Sequence, residues 1–253
     1  MVKMVVLSPH RDDAAFSLSL AIGSWLERGH AVEVVNCFTR SEYAPFADMT
    51  AVHANDRMTY VTALRLKEDE SWRKQYGAGQ KRLTMKDLNV KDAPLRLHCG
   101  IEEVFAAAVN PADKAMGKVQ KALESAGAVL APLALGGHVD HRTALEAALP
   151  LLTPDLPWAF YEDLPYGLEL TDGEIEQAVR ALGGGLNAEL APVFAGVAPD
   201  VEAATRRKRR LALCYDSQIE DATADRMAAF CVPYGGRERL WANAAWRALE
   251  PLG

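Results

Sequence analysis

Two short polar clusters hold the residue types from which a hydrolytic centre can be built. Ser8-Pro9-His10-Arg11-Asp12-Asp13 and Gly136-Gly137-His138-Val139-Asp140-His141 together carry three of the chain's six histidines. Neutral imidazole and carboxylate are suitable zinc ligands, and a catalytic zinc takes three protein ligands and keeps a further position open. Two ligands from one cluster and one from the other would make such a site, leaving a spare carboxylate and a spare imidazole beside it. Zinc lowers the pKa of bound water to about 7, and a neighbouring carboxylate can take the proton. An imidazolium opposite would stabilise the oxyanion that develops, or protonate a leaving amine. The inventory suits metal-assisted hydrolysis of an acyl bond, and iron or another divalent ion would also accept these donors.

Taken singly the patterns are weak. His-x-x-His fits surface histidines in a Gly-rich turn, and Asp12 is well placed to cap the helix that follows it. What strengthens them is where they fall. Val2–Leu7 reads as a buried strand, and Ala14–Arg28 as a helix ended by Gly29. Ala31–Phe38 is a second strand, Ala128–Leu133 a third, and Trp158–Tyr161 a short one. Helical spacing is expected over Thr50–Glu70, Asp113–Ala126, Arg142–Leu152, Asp172–Leu182 and Ala203–Tyr215. Such alternation predicts an α/β layered sheet, mostly parallel, with right-handed crossovers. Ligands bind such sheets outside the carboxyl ends of the strands, and both clusters follow directly after a predicted strand. A nucleotide site is disfavoured, because SPHRDD stands where a glycine fingerprint would be needed and its acids repel a pyrophosphate.

The chain has 253 residues, with 28 basic and 34 acidic side chains, hence a formal charge of −6. That balance gives no general attraction to nucleic acid or to an anionic membrane. The uncharged stretch Ala14–Leu26 is too short to span a bilayer, and the N-terminus lacks the pattern of a secretory signal. A cytoplasmic protein with four reduced cysteines is expected. No repeat or linker-like shift in composition divides the sequence, so one domain over residues 1–253 is expected. The Ser71–Leu97 stretch reads as polar connectors and the most mobile region. Arg206–Arg210 (RRKRR) reads as a solvated helix face, and Trp241 and Trp246 as packing anchors. A homo-oligomer is compatible with all of this.

With these residues in view, the chain resembles the N-acetylglucosaminyl-phosphatidylinositol de-N-acetylases, the LmbE-like or PIG-L family. The resemblance rests on SPHRDD and HVDH, and continues through YEDLPY (Tyr161–Tyr166), Tyr-x-Ser-Gln (Tyr215–Gln218) and ERLW (Glu238–Trp241). It implies a Rossmann-like three-layer α/β/α sandwich and hydrolysis of the N-acetyl group of an amino sugar or its conjugate, a small-molecule partner. It also implies His10, Asp13 and His141 as zinc ligands and Asp12 as general base. His138 would polarise the amide carbonyl, and Asp140 would orient a histidine. Family members often read PHPDDE, where this chain has Arg11 and Ala14 in place of Pro and Glu. Many also carry, on the helix after the second strand, an arginine three residues before an acid that helps hold the sugar. The resemblance places His53 and Asp56 at those positions, with Arg57 adjacent. Candidate substrate contacts are therefore Arg11, His53, Arg57, Tyr161, Glu162 and Asp163. Two rivals remain at this stage: an amidase for another acylated amine, and a catalytically silent sugar-binding protein.

Overall fold

The run Lys3–Ser8 is apolar at every position after Lys3 except its last, and both of its faces are covered, as a central parallel strand requires. Met4 and Val6 pack into one hydrophobic layer, while Val5 and Leu7 pack into the other. The computed structural model describes residues 2–196 and 200–249. Met1, 197–199 and 250–253, which the single-domain expectation includes, lie outside them.

Seven strands form one sheet: β1 (Lys3–Ser8), β2 (Ala31–Asn36), β3 (Leu83–Asp87), β4 (Ala128–Pro132), β5 (Trp158–Tyr161), β6 (Ala191–Ala195) and β7 (Glu238–Ala242). Their order is β3-β2-β1-β4-β5-β7-β6. The pairs among β1 to β5 are parallel, whereas β7 runs antiparallel to both β5 and β6. Helices α1 (Asp13–Glu27), α2 (Arg57–Lys74), α3 (Ala93–Leu97), α4 (Lys114–Leu123), α5 (Val139–Ala148), α6 (Asp172–Leu186), α7 (Val201–Ala212), α8 (Asp221–Phe230) and α9 (Ala244–Arg247) accompany it. Side chains of α1, α2, α7, α8 and α9 fill one layer, and those of α4, α5 and α6 fill the other. This is the three-layer α/β/α sandwich, with a mostly parallel sheet. Strand order reverses between β1 and β4, so the crevice between their carboxyl ends is the switch point where such sheets bind ligands. Among the described residues, no helix is long and apolar enough to cross a membrane.

The largest departure from expectation lies in Ser71–Leu97. The stretch is not mere connection: α2 runs to Lys74, β3 forms the sheet edge beside β2, and α3 closes the segment. β3 escapes a reading by hydrophobicity because it is an edge strand, burying Leu83 while Thr84 and Lys86 face outward. Helix α2 begins at Arg57 rather than Thr50. Its buried positions are Val61, Arg65, Glu68, Asp69 and Trp72, so its inner face is largely charged and shows no apolar stripe. Helix α5 begins at Val139, inside the HVDH cluster, and not at Arg142.

The basic run on α7 also divides. Arg206 pairs with Glu202, Arg207 with Glu27, and Arg209 with Asp221 and Asp225. Lys208, however, is buried against Glu238, whose carboxylate also accepts the Leu20 and Ala21 amides of α1. The solvated-face expectation fails at this one residue, which ties the last central strand to α1. Trp246 packs edge-on against Trp25 with ring centroids 6.0 Å apart, as an anchor should. Removing one member of a buried pair strands the other. Lys208→Met should therefore destabilise the fold by about 3–5 kcal/mol. Adding Glu238→Gln should return part of that loss, as read by urea unfolding.

Candidate metal centre and active site

The turn after β1 is folded by its own side chains. Ser8 Oγ accepts the Ala14 amide at 3.0 Å and donates to the His10 carbonyl at 2.5 Å. The His10 amide donates to Asp13 Oδ2 at 2.6 Å. Asp12 occupies the position preceding α1 but makes no capping bond, contrary to the expectation from sequence. Its Oδ1 instead accepts Arg65 Nη2 at 2.5 Å, from α2.

The turn after β4 depends on unusual backbone. Ala134, Gly136 and Gly137 all have positive φ, and a Cβ on Gly136 would lie 2.8 Å from the Tyr166 ring. This tight passage delivers His138 to the start of α5, where its Nδ1 accepts the Asp140 amide at 3.1 Å. Because Nδ1 is the acceptor, the ring proton sits on Nε2. Burial, reinforced by the neighbouring His10 and His141, pushes His138 down to about 2. It is thus a neutral N–H donor, and the imidazolium considered from sequence is set aside.

The two turns meet. The rings of His10, His138 and His141 lie within 4.9–5.5 Å of one another, centroid to centroid. Asp13 Oδ2 is 3.6 Å from His10 Nδ1 and 3.4 Å from His141 Nε2. Each of these histidines is held by a carboxylate on its other nitrogen: Asp140 lies 3.1 Å from His10 Nε2, and Asp163 lies 2.6 Å from His141 Nδ1. Asp140 is fixed in turn by Arg96 at 2.8 Å and by the Ala93 amide at 2.9 Å. Despite its burial, the His10 contact and Arg96 keep Asp140 below the usual carboxylate range. Burial opposes charge on His141, yet Asp13 and Asp163 push it up to about 9. Among the described residues, its Nε2 is buried and has no hydrogen-bond partner.

Among the described residues, two groups could hold a cation, His10-Asp13-His141 and His10-His138-Asp140, each with ligand atoms within 4.8 Å of one another. The donor chemistry separates them. In the second group, Asp140 is already committed to Arg96, Ala93 and His10, and His138 Nδ1 to an amide. In the first, the unpartnered His141 nitrogen faces a carboxylate with the second imidazole beside it, which is what a divalent ion requires.

A cavity of about 370 Å³ opens over these groups. His10, Asp12, Asp13 and His138 line its floor, with Arg65, Asp92, Phe105, Tyr166 and Gln218 among its walls. None of the six candidate substrate contacts lines it. Arg11 is buried, its two terminal nitrogens bonded to Asp69 and Asp87. His53 is exposed, accepting the Asn55 amide, and Arg57 is exposed at the start of α2. Tyr161 is buried with its hydroxyl on the Leu7 carbonyl, Glu162 accepts from Arg239 and Trp241, and Asp163 holds His141. Arg65, three residues before Glu68 on α2, does line the cavity. The same Arg-x-x-acid spacing lies twelve positions after His53 and Asp56, which precede the helix.

The sequence profile of the PIG-L family, described as GlcNAc-PI de-N-acetylase, matches residues 5–152. The chain belongs to this family. A relative from Streptomyces fradiae, 2'-N-acetylparomamine deacetylase, is 31% identical over 226 residues, which are 87% of this chain and 74% of the relative. The zinc-inhibited form of a teicoplanin deacetylase aligns over 96% of this chain and 98% of its own, with TM-score 0.62 and 21% identity. N,N'-diacetylchitobiose deacetylase from Pyrococcus horikoshii aligns over 95% and 83%, with TM-score 0.59 and 16% identity. At such identities these two structures establish the family fold, and the shared fold leaves the chemistry to be argued from the site.

Gly136 gives the site a direct test. A side chain there is strained at φ +75 and meets Tyr166. Gly136→Ala should cost at least about 1–2 kcal/mol from the left-handed backbone alone, measurable by thermal unfolding.

Proposed function

We propose that this chain is a divalent-metal-dependent N-deacetylase, with zinc the first candidate ion, acting on an N-acetylated amino sugar or its conjugate. The reading covers one catalytic domain. The observation that carries it is the buried His141 Nε2, without a hydrogen-bond partner and 3.4 Å from Asp13 Oδ2, beneath the switch-point cavity that Asp13 and His10 line. His10, Asp13 and His141 would hold the ion, oriented by Asp140 and Asp163. Bound there, the ion would supply Lewis acidity, polarising a carbonyl oxygen and easing deprotonation of water.

The protein's own groups do the remainder. Asp12 lines the cavity with Oδ1 engaged by Arg65, and Oδ2 is left to take the proton of the attacking water. Neutral His138 donates its Nε2–H toward the acetyl oxygen as negative charge grows there, a contribution available only from a donor already in place. The proton taken by Asp12 passes to the departing amine, so acetate and a free amino sugar result. Tyr166 and Phe105, whose rings pack against His138 with centroids 6.3 and 5.4 Å away, restrict water at this corner. Arg65, already on Asp12, is placed to reach a sugar hydroxyl as well.

The experiment is acetate release from a panel that starts with 2'-N-acetylparomamine and includes N,N'-diacetylchitobiose and N-acetylglucosamine. Protein stripped with chelator should be inactive, and zinc, iron, cobalt and manganese should be restored singly, since a relative is known in a zinc-inhibited form. Asp12→Asn should retain metal while turnover falls by about 10²–10⁴-fold. His141→Ala should lose tight metal binding outright in a competition titration. Acetate release by metal-free protein, or an unimpaired Asp12→Asn enzyme, would remove this mechanism.

A further inference from the structure

Arg11 and Asp12 are adjacent in the turn after β1, and each is bound to α2. Arg11 Nη1 bonds Asp69, and Arg65 Nη2 bonds Asp12. Arg65 and Asp69 are four residues apart on that helix, so they share one face. The turn thus presents a cation and an anion in sequence, and the helix presents the complementary pair. All four side chains are largely buried.

This arrangement has a built-in competitor. An arginine and an aspartate at this spacing ordinarily pair with each other along the helix. Here they do not, because Asp69 is occupied twice over: Oδ2 by Arg11, and Oδ1 by the Tyr215 hydroxyl at 2.9 Å. Arg11 is itself held from the opposite side by Asp87 at the carboxyl end of β3, whose other oxygen accepts from Asn36 Nδ2 at 3.3 Å. The guanidinium is therefore a rigid bridge from the sheet edge to the helix. Without it, Asp69 would be a buried carboxylate short of a counter-charge, with the Arg65 guanidinium one helical turn away. A desolvated anion recruits the nearest cation.

We infer that Arg11 is a positioning residue: by occupying Asp69 it keeps that carboxylate from drawing Arg65 away, and so leaves Arg65 to orient Asp12 in the cavity. The inference rests on the role proposed above for Asp12. It differs from a simple packing role in what a second substitution does. If Arg11 only braces the turn, removing Asp69 as well can return stability, as for any stranded buried charge, but not turnover. If Arg11 restrains Asp69, removing Asp69 relieves the competition.

The test uses the full-length metal-loaded enzyme and four variants: Arg11→Met, Arg11→Lys, Asp69→Asn, and Arg11→Met with Asp69→Asn. Arg11→Met should lower kcat by about 10–100-fold, the range for groups that support a metal site from behind. Asp69→Asn alone should keep most of the wild-type turnover, and the double variant should regain most of what Arg11→Met loses. Should Arg11→Met not fold, Arg11→Lys, which can reach one carboxylate but not both, takes its place with the same expected rescue. A double variant as slow as the single one, or an Arg11→Met enzyme as fast as wild type, overturns the inference.

An activity-independent arm reads the same competition in metal-free protein. Double-mutant cycles between Arg65 and Asp69, measured by urea unfolding, should show weak coupling in the wild-type background and strong coupling once Arg11 is Met or Lys. Equal coupling in both backgrounds also overturns it. If wild-type enzyme releases acetate from nothing in the panel, the deacetylase reading fails, and these cycles still decide whether Arg11 restrains Asp69.

Discussion

The site is governed by the removal of charge from water. A carboxylate or guanidinium buried without a partner is strongly destabilising, so each such group must find an opposite charge or a set of donors. Around the carboxyl ends of β1 and β4 this constraint generates a lattice of pairs: Arg11 with Asp69 and Asp87, Arg65 with Asp12, Arg96 with Asp140 and Asp113, Arg239 with Glu162. The pairs set orientation more than they add stability. Once they are made, few rotamers remain open to Asp12, His10 and His141. His141 Nε2 is left buried without a hydrogen-bond partner, facing Asp13.

The candidate centre was legible in the sequence because its two halves are local. A strand followed at once by His-x-Asp-Asp, and another followed by His-x-Asp-His, identifies ligand types and sheet end together. The groups that support the centre were not legible, for the same reason that they work. Arg65, Glu68 and Asp69 make the buried face of α2 charged, so hydrophobic periodicity is lost although the helix is well packed. Its rationale lies in partners at Asp12, Ser217 and Arg11, distant in sequence and invisible to any window. β3 was missed likewise, since an edge strand buries one face and Asp87 matters through its pair with Arg11. Three of the six candidate substrate contacts rested on equating the end of a strand with facing the cavity. Tyr161, Glu162 and Asp163 are at such an end, yet all three turn into protein.

The sheet's antiparallel side shows why the later half of the chain belongs to the site even though both clusters end by His141. Arg239 and Trp241 on β7 hold Glu162 through Oε1, at 2.5 and 2.8 Å. Glu162 anchors the chain as it leaves β5, and the next residue, Asp163, accepts both the Leu135 amide and His141 Nδ1. A single strand exit thus links the ERLW segment, the Gly-rich turn after β4 and the deepest imidazole. A carboxylate on the far nitrogen fixes the ring and raises the basicity of the near one. Truncation or mispairing of β7 would therefore act at His141 without touching it. Two of the distant motifs, YEDLPY and ERLW, are thereby accounted for by geometry: they hold His141, while Tyr215 and Ser217 of the third bond Asp69 and Glu68 on α2.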